Sequence, residues 1–175
     1  MLNMILIFCT ISLDKNFYLT NGELMRAGIN PLVSICIPTY NGNEFIREAL
    51  KSALAQTYSN TEIIISDDRS SDGTVKTVKE ILKKTKIPYK IIDHIPSGIG
   101  ANWNNCVQNS KGKYIKFLFQ DDTLEPDCIS KMVELAEADD EIGLVFSKRN
   151  FICKNKSREF DKWIEKYSNL HIHWK

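Results

Sequence analysis

The chain has 175 residues, enough for one domain with a sizeable core. Its 43% hydrophobic and 26% charged residues are ordinary for a globular fold, and a formal net charge of +1 argues against nucleic acid as a partner. Five cysteines, Cys9, Cys36, Cys106, Cys128 and Cys153, form no CxxC pair, which points to reduced, buried thiols rather than a disulfide framework or zinc site.

The first residues, up to Leu13, are apolar. This run is too short to span a membrane, and it lacks the basic start and small-residue cleavage site of a signal peptide. Residues 1–30 are expected to be an appendage: a strand or helix packed on the domain, or the remainder of an upstream segment. Residues 32–37 are β-branched and apolar, end at Pro38, and read as a buried strand. A turn through Thr39, Tyr40, Asn41, Gly42 and Asn43 follows. Phe45, Ile46, Ala49, Leu50, Ala53 and Leu54 then recur at helical spacing.

Residues 62–66 predict a second strand, and 67–73 a polar loop. Val75, Val78, Ile81 and Leu82 mark a second amphipathic helix, closed by lysines suited to a helix C-terminus. Residues 89–93 predict a third strand. The glycine-containing loop 96–100 leads into a helix carrying Trp103, Cys106 and Val107, with Trp103 expected in the core. Lys111-Gly112 ends that helix, and residues 114–119 form a fourth strand. Pro126 fits the first turn of a helix whose Ile129, Met132, Val133 and Ala136 face inward; residues 144–146 are a fifth strand. Alternating strands and helices predict an α/β fold, a mostly parallel sheet with helices on both faces.

In such sheets ligands bind beyond the carboxyl ends of the strands. Three polar clusters fall there: Thr39-Tyr40-Asn41, Asp67-Asp68 and Asp121-Asp122. Adjacent carboxylates at the end of a buried strand are costly unless neutralised. A magnesium or manganese ion that holds a diphosphate needs only one or two protein carboxylates. Either pair alone reads as a strand-end turn or, for the stretch 67–73, a helix cap by Ser71 or Asp72. Two pairs at matching strand ends favour one metal–nucleotide cleft. Gly98-Ile99-Gly100 lacks the third glycine of a dinucleotide fingerprint, and the first strand–turn has none of it, which argues against a nicotinamide enzyme.

These residues resemble a known family. Residues 33–41 look like the opening strand and loop of family 2 glycosyltransferases, and Ser52-Ala53-Leu54-Ala55-Gln56-Thr57-Tyr58 resembles their S-x-L-x-Q-T-Y. Residues 62–74 resemble their E-x-I-x-x-D-D-x-S-x-D-G-T, and residues 111–126 resemble the strand leading to their metal motif. The resemblance runs from about residue 32 to 147. It implies an A-type glycosyltransferase fold and an enzyme that inverts the anomeric carbon. It implies a nucleotide-diphospho-sugar donor, uridine-linked, a Mn2+ or Mg2+ ion, and a glycan or lipid-linked acceptor. By position, Thr39 and Tyr40 would line the base pocket, Pro38 would be donor-binding, and Asp67 would accept from the base N–H. Asn102 would help close the pocket, Asp121 would contact ribose or sugar, and Asp122 would ligate the metal.

The expected domains are the appendage 1–30, a nucleotide-sugar-binding domain 31–150, and a basic extension 151–175 that begins the acceptor part. Family members continue further and carry the acidic general base there. After Ser147 only Glu159, Asp161 and Glu165 remain as acids, none in a recognisable base motif, so the chain is expected to be a donor-binding half. The alternatives are a non-catalytic nucleotide-sugar-binding remnant and a nucleotidyltransferase. The basic end is expected to be solvated surface, with a membrane-surface patch as the other reading, and His171 and His173 to be surface residues. The expected location is the cytoplasm, at the inner face of the membrane.

Overall fold

The computed structural model describes residues 5–8 (backbone), 30–139 and 141–147. Cys9, Cys153, His171, His173, Glu159, Asp161, Glu165 and the basic stretch from residue 148 lie outside the described residues. Among the described residues, six strands and four helices follow in the order β1 (Ile5–Phe8), β2 (Val33–Thr39), α1 (Ile46–Leu54), β3 (Thr61–Asp67), α2 (Thr74–Leu82), β4 (Tyr89–Asp93), α3 (Ile99–Gln108), β5 (Tyr114–Phe117), α4 (Cys128–Ala136) and β6 (Leu144–Phe146).

The strands form one sheet in the order β4-β3-β2-β5-β1-β6. Every pairing is parallel. A parallel sheet covered on both faces reads as near-continuous apolar runs. The seven residues of β2 and the seven of β3 are all buried. Ile35, Ile37, Ile63 and Ile65 point to one face, where α1, α2 and α4 supply Ile46, Leu50, Val78, Leu82, Ile129 and Met132. Each such side chain contributes about 1.5–3 kcal/mol of burial.

The opposite face belongs to α3 and is more polar. Cys36, Ile64, Ile115 and Phe117 meet Cys106, and Trp103 packs on Phe117 and Phe119 with ring centroids 5.7 and 5.0 Å away. Asn105 Nδ2 donates to Ser66 Oγ at 2.7 Å. Cys36, Cys106 and Cys128 are buried free thiols. A hydrogen bond with Cys36, then burial, pushes the Cys106 thiol upward in pKa, away from reactivity.

At the amino edge of the sheet, Glu62 fastens the α3–β5 connection. Its Oε1 accepts from Ser34 Oγ at 2.6 Å and from Lys111 N at 2.7 Å. Gly112 N donates to Ser34 Oγ at 2.8 Å, and a Cβ on Gly112 would sit 2.6 Å from Ser34 N. The glutamate of the E-x-I stretch and the Lys-Gly pair are therefore one clasp.

Several boundaries differ from the sequence reading. The fourth predicted strand, β5, stops at Phe117, not 119. Pro126 precedes the α4 cap residue, Asp127, and so lies outside the first turn. Phe45 is exposed, just ahead of α1. Among the described residues no helix is long and apolar enough to cross a membrane.

Candidate donor site at the strand-order reversal

The chain runs outward from β2 through β3 to β4, then returns to place β5 on the other side of β2. The ends of β2 and β5, where the strand order reverses, are therefore the candidate ligand crevice. Cys36 O accepts from Leu118 N at 2.9 Å, so Cys36 presents its backbone to β5. Backbone direction alternates along a strand, so Pro38 and Tyr40 present theirs to the same side. Pro38 has no N–H, and the β2–β5 register ends at Cys36 and Phe117.

One lip of the crevice is Tyr40, 57% exposed. The other is the turn Gln120-Asp121-Asp122, where Asp122 N donates to Phe119 O at 3.0 Å. Gln120 crosses between them. Its Oε1 accepts from Tyr40 N at 2.9 Å, and its Nε2 donates to Tyr40 O at 3.0 Å.

Behind Tyr40 the two loops after β2 and β3 are stitched together. Thr39 Oγ1 donates to Asp67 Oδ1 at 2.7 Å. Ser70 Oγ donates to the same oxygen at 2.6 Å, and Ser70 N to Asp67 Oδ2 at 2.6 Å. A carboxylate has about four acceptor positions, so one remains, on Oδ2. Asp67 itself is 1% exposed. Asn41 N donates to Ser70 Oγ, Gly42 N to Thr74 Oγ1, and Asn43 N to Asp72 Oδ2, at 2.8, 2.9 and 2.9 Å. Asn41 and Arg69 adopt left-handed φ values of 46° and 59° to make these turns, a conformation that disfavours residues with a Cβ. Asp72 also accepts from Thr74 N at 3.0 Å and from Thr74 Oγ1, so it serves the start of α2. Slight burial raises the Asp72 pKa, but the bonds from Thr74 and from the Asn43 backbone outweigh it and hold the carboxyl below its ordinary range.

A third group lies at the ends of β3 and β4. Asn102, 4% exposed, donates from Nδ2 to Thr39 O at 3.0 Å and meets His94 Nε2 through Oδ1 at 3.2 Å. Asp68 Oδ1 accepts from Ser97 N at 3.0 Å and lies 3.8 Å from His94 Nδ1. These bonds pin the loop before α3 to the end of β2.

Asp121 is exposed and Asp122 half-buried. β3 and β5 are two strand spacings apart, about 10 Å, but Asp67 and Asp68 are buried and bonded to the neighbouring loops, while Asp121 and Asp122 are more open. Among the described residues no three His, Cys, Asp or Glu side chains cluster as a metal cage. One or two carboxylates beside an open crevice fit instead an ion whose other ligands are phosphate oxygens and water.

The Ser52–Tyr58 stretch holds the segment that follows this acidic turn, residues 124–130. Gln56 Nε2 donates to Ser52 O and Glu125 O at 3.1 and 2.8 Å, and its Oε1 accepts from Ile129 N at 3.1 Å. Leu124 N donates to Ser52 Oγ at 3.0 Å, and Thr57 N to Pro126 O at 2.8 Å. The residues that sequence reasoning singled out thus separate in the structure. Thr39, Asp67 and Asn102 are bonded into one buried network, Pro38 is buried in β2, and Tyr40, Asp121 and Asp122 are the more open residues at the strand ends. Gln120 ties Tyr40 to the acidic turn and His94 meets Asn102 and Asp68; the sequence reading gave Gln120 and His94 no site role and read Asp68 as one of the acidic pair. For Gln120 the signal was its place, directly before the acidic pair and after a strand.

This is an open parallel α/β domain whose strand order reverses between β2 and β5. The chain belongs to glycosyl transferase family 2, whose domain description matches residues 34–173. It is 42% identical over 106 residues to an uncharacterised glycosyltransferase of Rickettsia prowazekii, covering 61% of this chain and 32% of that one. It is 32% identical over 145 residues to the GalNAc(5)-diNAcBac-PP-undecaprenol beta-1,3-glucosyltransferase of Campylobacter jejuni, covering 80% of this chain and 46% of that one. Its fold is similar to S. aureus TarS 1–349 in complex with UDP-GlcNAc, with a TM-score of 0.57 and 24% identity over 61% of this chain and 31% of that one. It is also similar to the mannosyltransferase PcManGT of Pyrobaculum calidifontis in complex with GDP-Man and Mn2+, with a TM-score of 0.59 and 21% identity over 62% and 33%. The chain spans less than half the length of these relatives.

Proposed function

We propose that this domain binds a nucleotide-diphospho-sugar, uridine-linked, and takes part in transferring the sugar to a glycan or lipid-linked acceptor with inversion. The observation that carries this reading is the crevice at the β2–β5 reversal, with an exposed tyrosine on one lip and two carboxylates on the other. Family membership and the named ligands of the similar proteins support the same reading.

Each residue has a proposed part. Tyr40 lines the base pocket, and Pro38 is part of the donor site. Asp67 offers its remaining Oδ2 position to a base N–H, held in place by Thr39 and Ser70. Asn102 acts through Thr39, whose carbonyl it holds. Asp121 meets ribose or sugar, and Asp122 holds Mn2+ or Mg2+, an ion also named with the similar mannosyltransferase. When bound, the cation supplies positive charge beside the diphosphate, which is where negative charge develops as it leaves. In the transfer the acceptor oxygen bonds to the anomeric carbon, the carbon–phosphate oxygen bond breaks, the diphosphate leaves with the electron pair, and the hydroxyl proton passes to a base. A site of action at the inner face of a membrane fits a lipid-linked acceptor.

Titration calorimetry with UDP, with and without Mn2+, tests the reading. Mn2+ should strengthen binding, and binding should fall much further in Asp122→Asn than in Asp68→Asn, which removes a charge beside His94 but keeps an oxygen to accept from Ser97 N. Equal binding after chelation would remove the metal bridge. Asp67→Ala should reduce the preference for uridine over guanosine diphosphate, because it leaves a base N–H unpaired.

A further inference from the structure

Gln120 does for the crevice what a backbone peptide does inside a sheet. A donor and an acceptor on one planar amide meet the C=O and N–H of the same residue, Tyr40. A flanking strand would offer the same pair of groups. Pro38 is where the β2–β5 ladder loses its donor, and Gln120 resumes the connection two residues later. Gly42 supplies the room. A Cβ there would lie 2.2 Å from Gln120 Oε1, 2.3 Å from Cδ and 2.9 Å from Nε2. Gly42 is not among the positive-φ glycines, so its requirement is space, not backbone conformation.

We infer that Gln120 is a positioning residue that couples the two halves of the donor site. It fixes the Tyr40 loop, on the nucleoside side, to the Asp121-Asp122 turn, on the diphosphate and cation side. The inference rests on the donor-site reading above and adds the coupling. Its consequence is that nucleoside and cation strengthen each other's binding through one amide, by the same factor in either direction. Without the amide each half keeps its own groups, but the two no longer hold a common register.

The experiment measures UDP binding by calorimetry on the full chain, with and without Mn2+, for the parent, Gln120→Ala, Gly42→Ala and the double variant. In Gln120→Ala the factor by which Mn2+ strengthens UDP binding should fall roughly tenfold, about the weight of one well-formed hydrogen bond. Metal-free UDP binding should change by less than about threefold. Loss of stability alone would lower both measurements together. Gly42→Ala should expel the amide and show the same selective loss, and the double variant should be no worse than either single one. Gln120→Glu keeps the acceptor for Tyr40 N–H and loses the donor, so it should fall between parent and alanine. An unchanged Mn2+ factor in Gln120→Ala, or additive losses in the double variant, would overturn the inference alone. A parent chain that binds no UDP would overturn the donor-site reading, and the coupling with it.

Discussion

Replacing Gln56 by alanine tests how the Ser52–Tyr58 stretch fastens the segment after the acidic turn to the start of α4. Three bonds are lost, to Ser52 O, Glu125 O and Ile129 N. The first is local to the end of α1; the other two reach 69 and 73 residues along the chain. The Ile129 N–H belongs to the first turn of α4, where backbone donors have no partner in the helix. Losing that cap should cost about 0.5–2 kcal/mol. The two carbonyl bonds should add about 1 kcal/mol each. The total, roughly 2–4 kcal/mol, should lower the melting temperature by about 5–15 °C for a domain of this size. Thermal and urea unfolding followed by circular dichroism measure it. Gln56→Glu keeps the acceptor and places a negative charge near the start of α4, so it should lose less. A midpoint for Gln56→Ala equivalent to less than about 0.5 kcal/mol from the parent would refute the fastening role.

Gly112→Ala should destabilise by about 1–3 kcal/mol, because the new methyl meets the Ser34 backbone at 2.6 Å and a backbone nitrogen cannot swing aside; an unshifted urea midpoint would show that the clasp yields. Tyr58 donates to Pro31 O at 2.7 Å, and burial, then the charge of Glu137, pushes its pKa up to about 12. Its folded pKa exceeds the unfolded value of about 10, so its contribution is full below that value and is lost as pH rises toward about 12. Tyrosinate absorbance should show a late-titrating group absent from Tyr58→Phe, and uniform titration near pH 10 would contradict it. Asp72 runs the other way: its folded pKa is depressed, so its stabilisation is present above the unfolded value near about 4 and is lost as pH falls through the folded one. Asp72→Asn should therefore flatten the acid limb of the melting temperature, and parallel profiles for the two proteins would count against the cap.

Much of the fold was legible because buried parallel strands leave plain runs. Residues 33–37 and 63–65 admit little else, and the spacing of Ile46, Ala49, Leu50 and Ala53 fixes a helix face. The less legible parts depend on contacts far along the chain. The apolar opening reads equally as strand or helix, and only pairing with Tyr114–Phe117 and Leu144–Phe146 makes residues 5–8 a strand inside the sheet. Lys116 is 1% exposed and donates to Phe117 O at 2.7 Å, yet a lysine in a strand normally signals a solvent-facing position. Phe45 fits the apolar spacing of α1 by number, but it precedes the first helical turn, where that spacing does not apply.

The site shows the same division on a smaller scale. Sequence patterns gather residues by type and spacing, so Thr39, Asp67, Asn102 and Asp122 arrive as equals. Hydrogen bonding separates them. Asp67 has three acceptor positions filled, and Asn102 has both ends of its amide engaged, before any ligand is present. Such groups are held at fixed angles by the core side of the sheet, so little ordering remains to be done when a ligand arrives. Tyr40 and Asp121, by contrast, are exposed at the crevice. A binding site needs both kinds, since a contact group is only as well placed as the residues that restrain it. The acidic turn follows this rule. The β2–β5 ladder has already ended where Asp121 and Asp122 stand; Gln120 ties their turn to Tyr40, and Gln56 fastens the segment that follows it. Two side-chain amides therefore take over from the backbone where the β2–β5 ladder ends.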